Sequence, residues 1–97
     1  MTRPVKLDLE TVGKFVSAHD GWHTDADALE KIFTFPTYGA GLAFAVHLGF
    51  AADKRDHHPE LNIGWGKVGV RWTTHDAGGI TALDLEMAEV ADHAYGR

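Results

Sequence analysis

From Leu9 onward the apolar residues Leu9, Val12, Phe15 and Val16 recur at the spacing of an amphipathic helix, with Asp8 placed to cap it and His19, Asp20 and Gly21 to end it. Residues 22–24 and 28–35 then predict two short strands about a turn at Asp25, Ala26 and Asp27; the second carries an imperfect period of two through Leu29, Lys31, Ile32, Phe33 and Phe35. Pro36 and Thr37 open the longest helix, in which Tyr38, Leu42, Ala45, Val46, Gly49, Phe50 and Ala52 share a stripe up to about Arg55. Phe44 and Leu48 fall off that stripe, so the helix is apolar around much of its circumference and is expected to pack on more than its own sheet. Small residues at Gly39, Ala40, Gly41, Ala43 and Gly49 permit close helix approach, which fits either a subunit interface or a well-buried core helix. After Pro59, alternation through Leu61, Ile63 and Trp65 and then Val68, Val70, Trp72 and Thr74 predicts a hairpin about Gly66 and Lys67. Thr81 precedes a last helix through Leu83, Leu85, Met87, Ala88, Val90 and Ala91, ending before Tyr95, Gly96 and Arg97. The order α-β-β-α-β-β-α predicts an α+β fold of two layers, a four-stranded antiparallel sheet with three helices on one face.

Composition adds constraints. With 97 residues the chain is expected to form one domain, residues 1–97. A chain this short buries only about 60 to 70% of its unfolded surface, so association would help it. It has no cysteine, which removes disulfides and thiolate metal sites. Residues 1–7 hold no apolar run of signal-peptide length, and no segment reaches the roughly 18 apolar residues of a membrane span; a soluble, cytoplasmic protein is expected. Nine Lys and Arg against fourteen Asp and Glu give a formal charge of -5, which disfavours nucleic acid and anionic membranes as partners. Of the three tryptophans, Trp72 reads as core, while Trp22 and Trp65 stay open between packing and a stacking role.

The candidate chemistry sits in the second half. Asp53 precedes His57, His58 and Pro59 by one helical turn; Trp65, His75 and Asp84 follow. Imidazoles titrate nearest neutrality, so three of them with nearby carboxylates can both give and take protons. Pro59 holds the histidine pair at a helix-to-strand turn, and antiparallel geometry can return the end of the second hairpin strand, with His75, to that turn.

The frame Asp53-Lys54-Arg55-Asp56-His57-His58-Pro59, with Trp65, Thr74-His75 and Asp84 at fixed distances beyond it, resembles the signature of the pterin-4a-carbinolamine dehydratases. The resemblance spans about residues 22–92 and implies 4a-hydroxytetrahydrobiopterin dehydratase activity. Water is eliminated from the 4a-carbinolamine to give quinonoid dihydropterin, with no cofactor and no metal, in the recycling of tetrahydrobiopterin for aromatic amino-acid hydroxylases. It further implies that His57 and His75 lie against the 4a-hydroxyl and that His58 holds and deprotonates the ring. Asp53, Trp65 and Asp84 are candidate substrate-binding residues, Trp65 being either a cleft wall or hairpin core. A homo-oligomer, dimer or tetramer, is implied through the helix spanning residues 38–52. Leu61, where many members carry an aromatic, and Ala77, where animal members can carry Cys, depart from the pattern without removing a proton-transfer group.

Other readings come from different classes. His57, His58, His75 and a carboxylate could serve a metal hydrolase, although adjacent histidines point apart on regular backbone and no H-E-x-x-H motif accompanies them. Vertebrate relatives also act as dimerisation partners of a homeodomain transcription factor, and an offshoot of the family works in molybdenum-cofactor metabolism. His19, His23 and His93 read as solvated, and His47 as an interface or hydrogen-bonded residue.

Overall fold

A computed structural model of the chain describes residues 4–96. The expectations for Met1, Thr2, Arg3 and Arg97 lie outside the described residues. Asp8 caps α1 (Leu9–Ala18), accepting from Thr11 N at 2.8 Å. That hydrogen bond holds its carboxyl below the usual carboxylate range. The chain continues through β1 (His23–Asp25), β2 (Ala28–Thr34), α2 (Tyr38–Arg55), β3 (Glu60–Gly64), β4 (Lys67–Trp72), a short 3-10 turn (His75–Ala77) and α3 (Ala82–Tyr95). The strands form one antiparallel sheet in the order β1-β2-β4-β3. The predicted order of elements is thus the observed one.

Period-two alternation decides which sheet face is covered. Leu29 pairs with Trp72 and Phe33 with Val68, and these residues are buried with Val70, beneath α2 and α3. Val12 of α1 joins the same core, which also takes Leu48, Met87, Ala88 and Ala91 from the other helices.

Three boundaries differ from the sequence reading. Trp22 precedes β1 instead of opening it: its ring is buried and its indole N–H donates to Asp92 of α3 at 2.9 Å, so it belongs to the helical layer. The hairpin turns at Trp65 and Gly66, one residue earlier than predicted, because Gly66 takes a φ of +73° and its carbonyl accepts from Phe35 N at 2.8 Å. A Cβ there would stand 3.2 Å from the Phe35 oxygen, so glycine fixes the turn. Finally α3 runs through Tyr95, whose hydroxyl donates to the Thr34 carbonyl at 2.8 Å while its ring packs on Phe33 and Phe35.

The larger correction concerns α2. Its core face is Gly41, Phe44, Ala45, Leu48 and Ala52, and the stripe expected to be the main one is largely outside: Leu42, Val46 and Phe50 are 44%, 52% and 66% exposed. Phe44 decides the rotation by packing against Phe33 and Phe35, with ring centroids 4.9 and 5.2 Å away. Gly41 lets the helix settle on the sheet, since a Cβ there would come within 3.2 Å of the Phe35 ring and 3.3 Å of Val68.

His19 also departs from expectation. Half-buried at the end of α1, it stacks on Phe15 and bridges the Phe15 carbonyl, at 2.9 Å, and Glu89 of α3, at 3.0 Å. Burial opposes its protonation, but the Phe15 carbonyl and the Glu89 carboxylate outweigh that and raise its pKa above the ordinary value. His23 likewise meets a partner, Glu30, at 3.1 Å.

Candidate active site

The site begins where α2 stops. Asp56 adopts a left-handed conformation at φ 49°, the His57 N–H returns to the Ala52 carbonyl at 3.2 Å, and the chain turns into β3 through His58 and Pro59. The two adjacent imidazoles consequently diverge. His57 turns inward, its side chain only 13% exposed, with its ring stacked on Trp72 at a centroid distance of 5.7 Å. Its Nε2 donates to Asp84 Oδ1 at 2.6 Å, so Nδ1 is the nitrogen left for proton transfer. His58 turns outward, and its Nε2 pairs with Asp53 Oδ1 at 2.8 Å.

Asp84 is fully buried, so it cannot touch a substrate from where it stands. It occupies the third position of α3, where its other oxygen accepts from Thr81 N at 2.9 Å and Thr74 Oγ1 at 2.8 Å in a capping box. The negative charge is placed at a helix N-terminus and satisfied by several donors. Its role is therefore to position His57. Asp53, on the last turn of α2, holds the neighbour of the histidine that its spacing suggested, because Asp56 ends the helix before His57.

His75 follows β4 at the start of the 3-10 turn, which is closed by the bridge between Thr74 and Gly79. The turn brings His75 and His58 to one cleft of about 550 Å³, together with Glu60, Arg71 and Thr73, and the β1–β2 turn with Asp27 forms another wall. Thr73 fastens that wall by donating to the Asp27 carbonyl at 2.7 Å.

Of the candidate residues, His58 and His75 share the cleft, His57 is not among its lining residues, and Asp53 and Asp84 each hold one imidazole. Trp65 does not join them. It stands 73% exposed at the hairpin turn, the opposite end of β3 from His58, and is neither cleft wall nor hairpin core in this chain. Glu60, Arg71 and Thr73 escaped the sequence reading. Arg71 alternates with Val70 and Trp72 and so belongs to the other sheet face, a signal present in the pattern. It donates to Asp25 at 2.8 Å and Glu30 at 2.9 Å, and Glu30 followed by Asp25 raises its pKa. Among the described residues no group of three or more His, Asp and Glu is arranged to hold a metal ion. No helix among them is long and apolar enough to cross a membrane.

Comparison with known proteins bears on this geometry. The family described as Pterin 4 alpha carbinolamine dehydratase matches residues 5–94. The chain belongs to that family. A Halobacterium salinarum protein, provisionally named pterin-4-alpha-carbinolamine dehydratase, is 41% identical over 87 residues, covering 90% of this chain and 93% of the relative. A Natronomonas pharaonis protein with the same provisional name is 48% identical over 71 residues, 73% of this chain and 77% of its own. Among solved structures, a Brucella melitensis protein described as a transcriptional coactivator/pterin dehydratase superposes with a TM-score of 0.89 at 29% identity, covering 94% of this chain and 99% of that one. A pterin dehydratase-like protein identified as a RuBisCO assembly factor in the alpha-carboxysome shares the fold at a TM-score of 0.64 and 22% identity, over 77% and 87% of the two chains.

Proposed function

We propose that this member of the family is a 4a-hydroxytetrahydrobiopterin dehydratase, a hydro-lyase acting by histidine acid/base chemistry. The observation that carries the reading is the pair of imidazoles, His58 and His75, facing one cleft while a third, His57, is fixed beside them by a buried carboxylate. The reaction needs an acid and a base together. The C4a–O bond breaks with its electron pair leaving on oxygen, which takes up a proton and departs as water. A neighbouring ring N–H gives up a proton, and its electrons close the quinonoid double bond.

The histidines divide those transfers. His75, with His57 through Nδ1 when that nitrogen also carries a proton, protonates the departing hydroxyl, and His58 accepts the ring proton. Asp53 orients His58 for that transfer. Each such transfer contributes typically 10²–10⁴-fold. The protein added to a phenylalanine hydroxylase assay should accelerate loss of water from the 4a-carbinolamine in the presence of a chelator. No stimulation, with or without divalent metal, overturns the reading. Recycling of tetrahydrobiopterin in the cytoplasm is the setting this activity implies, alongside an aromatic amino-acid hydroxylase.

The outer face of α2 supports a second part of the proposal, that the protein works as a homo-oligomer, a dimer or tetramer. Leu42, Val46 and Phe50 lie one above another at i, i+4 spacing, each at least 44% exposed, and line a shallow apolar hollow with Gly39 and Ala43. A second copy of the same helix is self-complementary to such a stripe. Val46→Glu combined with Phe50→Glu should lower the mass seen by light scattering to that of one chain. A monomer before substitution rejects the interface.

A further inference from the structure

The segment that leads into α1 ties together two turns that wall the histidine cleft. Leu7 packs against the core and donates its N–H to the Ile80 carbonyl at 2.8 Å, which fixes the chain beside the loop carrying Gly78 and Gly79. Lys6 then lies across Gly79. A Cβ added there would come within 2.8 Å of Lys6 Cε, 3.2 Å of Cδ and 3.3 Å of Cγ, so the glycine leaves the room that the lysine stem occupies. Beyond it the ammonium reaches the β1–β2 turn, with Nζ 3.8 Å from Asp27 Oδ1.

Both ends of this crossing belong to the cleft. Gly78 and Gly79 line it from one side and Ala26, Asp27 and Ala28 from another. Neither wall is a regular element. The first follows the 3-10 turn and is closed by the bridge between Thr74 and Gly79. The second contains Ala26 at φ 53°, a left-handed conformation that a residue with a Cβ keeps only where its surroundings hold it. Asp27 is where they hold it: Thr73 donates to its carbonyl at 2.7 Å, and Lys6 faces its carboxylate. The Lys6 and Asp27 side chains are 55% and 71% exposed, so the ion pair adds little to the stability of the fold. Its effect falls on the spacing of the two walls.

We propose that Lys6 is a positioning residue for the cleft: with Leu7 anchored on Ile80, its side chain straps the Gly79 loop to the β1–β2 turn and sets the width of the opening in which His58 and His75 meet a substrate. The inference rests on the dehydratase reading for the identity of that substrate, while the strap itself has a readout that needs no turnover.

Lys6→Glu sets two carboxylates against each other across the rim, and Asp27→Lys added to it restores an opposite pair in reversed order with the net charge of the unaltered chain. In Lys6→Glu the KM for the 4a-carbinolamine is expected to rise about threefold to fivefold with kcat nearly unchanged, because the proton-transfer groups stay in place. The reversed pair should recover most of that rise, and high salt should shrink it. Amide hydrogen exchange at the Leu7, Thr74 and Gly79 N–H groups should quicken about threefold in Lys6→Glu and slow again in the reversed pair, with thermal denaturation nearly unchanged. Exchange in folded Lys6→Glu equal to that of the unaltered protein overturns the strap. A KM that stays constant while exchange quickens, or that the reversed pair does not recover, overturns its role in positioning. Absence of turnover in the unaltered protein overturns the dehydratase reading, and exchange then decides the strap by itself, so the two failures are told apart.

Discussion

Replacing both histidines of the cleft, His58→Ala with His75→Ala, is expected to lower kcat/KM by about 10⁴-fold or more, with the fold retained. In the proposed mechanism each imidazole supplies one proton transfer worth typically 10²–10⁴-fold, and the pair acts on opposite ends of one elimination. A loss of 10⁴ corresponds to about 5.4 kcal/mol of transition-state stabilisation. The fold should survive because both side chains are exposed and neither supports the core. The single changes should separate the roles. His75→Ala removes a proton donor and should depress kcat, whereas His58→Ala also removes a group that positions the ring and should raise KM as well. His57→Ala with His75→Ala should cost more than either alone, since two acids serving one oxygen partly cover for each other. Steady-state kinetics in the coupled assay checks all five variants. A folded His58→Ala, His75→Ala double variant within tenfold of the unaltered rate removes this cleft from the mechanism.

The fold was legible because most of its strands are bounded by local signals. Pro59 and Gly66 punctuate the hairpin, Asp8, Thr37 and Thr81 occupy helix caps, and alternation through Val68, Val70 and Trp72 marks the buried face. The rotation of α2 was not legible. A helix with apolar residues on most of its circumference offers several stripes, and only the aromatic contacts of Phe44 with β2 and its continuation at Phe35 choose among them. Trp65 was misread for a related reason. A period-two pattern carries on into a turn without a break, and what ends the strand is the positive φ of Gly66.

The candidate site shows the same division. Residue types and spacing pointed to three histidines and two carboxylates; the structure puts His58 and His75 on one cleft and pairs His57 with Asp84 and His58 with Asp53. What spacing could not supply was direction. His57 and His58 diverge because Asp56 is left-handed, and only that geometry pairs His58 with Asp53 and turns His57 toward Asp84. Residues that build the cleft without being chemically conspicuous, Thr73 holding the β1–β2 turn and Arg71 beside Glu60, become visible only once strands are in register. The two adjacent imidazoles rest on different supports: His57 on a buried carboxylate and His58 on an exposed one. Changes at the two carboxylates should therefore differ in kind, with Asp53→Ala costing the rate and leaving stability nearly intact.

Asp84 is where stability and chemistry meet, and Asp84→Ala is expected to destabilise the fold by about 3–5 kcal/mol. The change takes from Thr81 N and the His57 ring the carboxylate they pair with, leaves Thr74 Oγ1 only its bond to Thr81 Oγ1, and removes the capping box of α3. In a domain whose total stability is of order 5–15 kcal/mol, a loss of that size unfolds a substantial fraction of molecules on modest warming. Asp84→Asn tests the positioning role apart from folding. The amide keeps the shape of the carboxylate, and its oxygen can still accept from Thr81 N and Thr74. Its NH₂ then faces His57 Nε2, which must become an acceptor, so the ring proton moves to Nδ1. A ring whose only proton is on Nδ1, with no carboxylate to support the doubly protonated form, is a far weaker acid, and this should lower kcat by about 10²-fold with little change in KM. Nitrogen-15 NMR of the imidazole reads the tautomer directly, and thermal denaturation reads the stability. An Asp84→Asn variant with the tautomer switched and kcat unchanged would show that His57 takes no part in proton transfer and that Asp84 serves the fold alone.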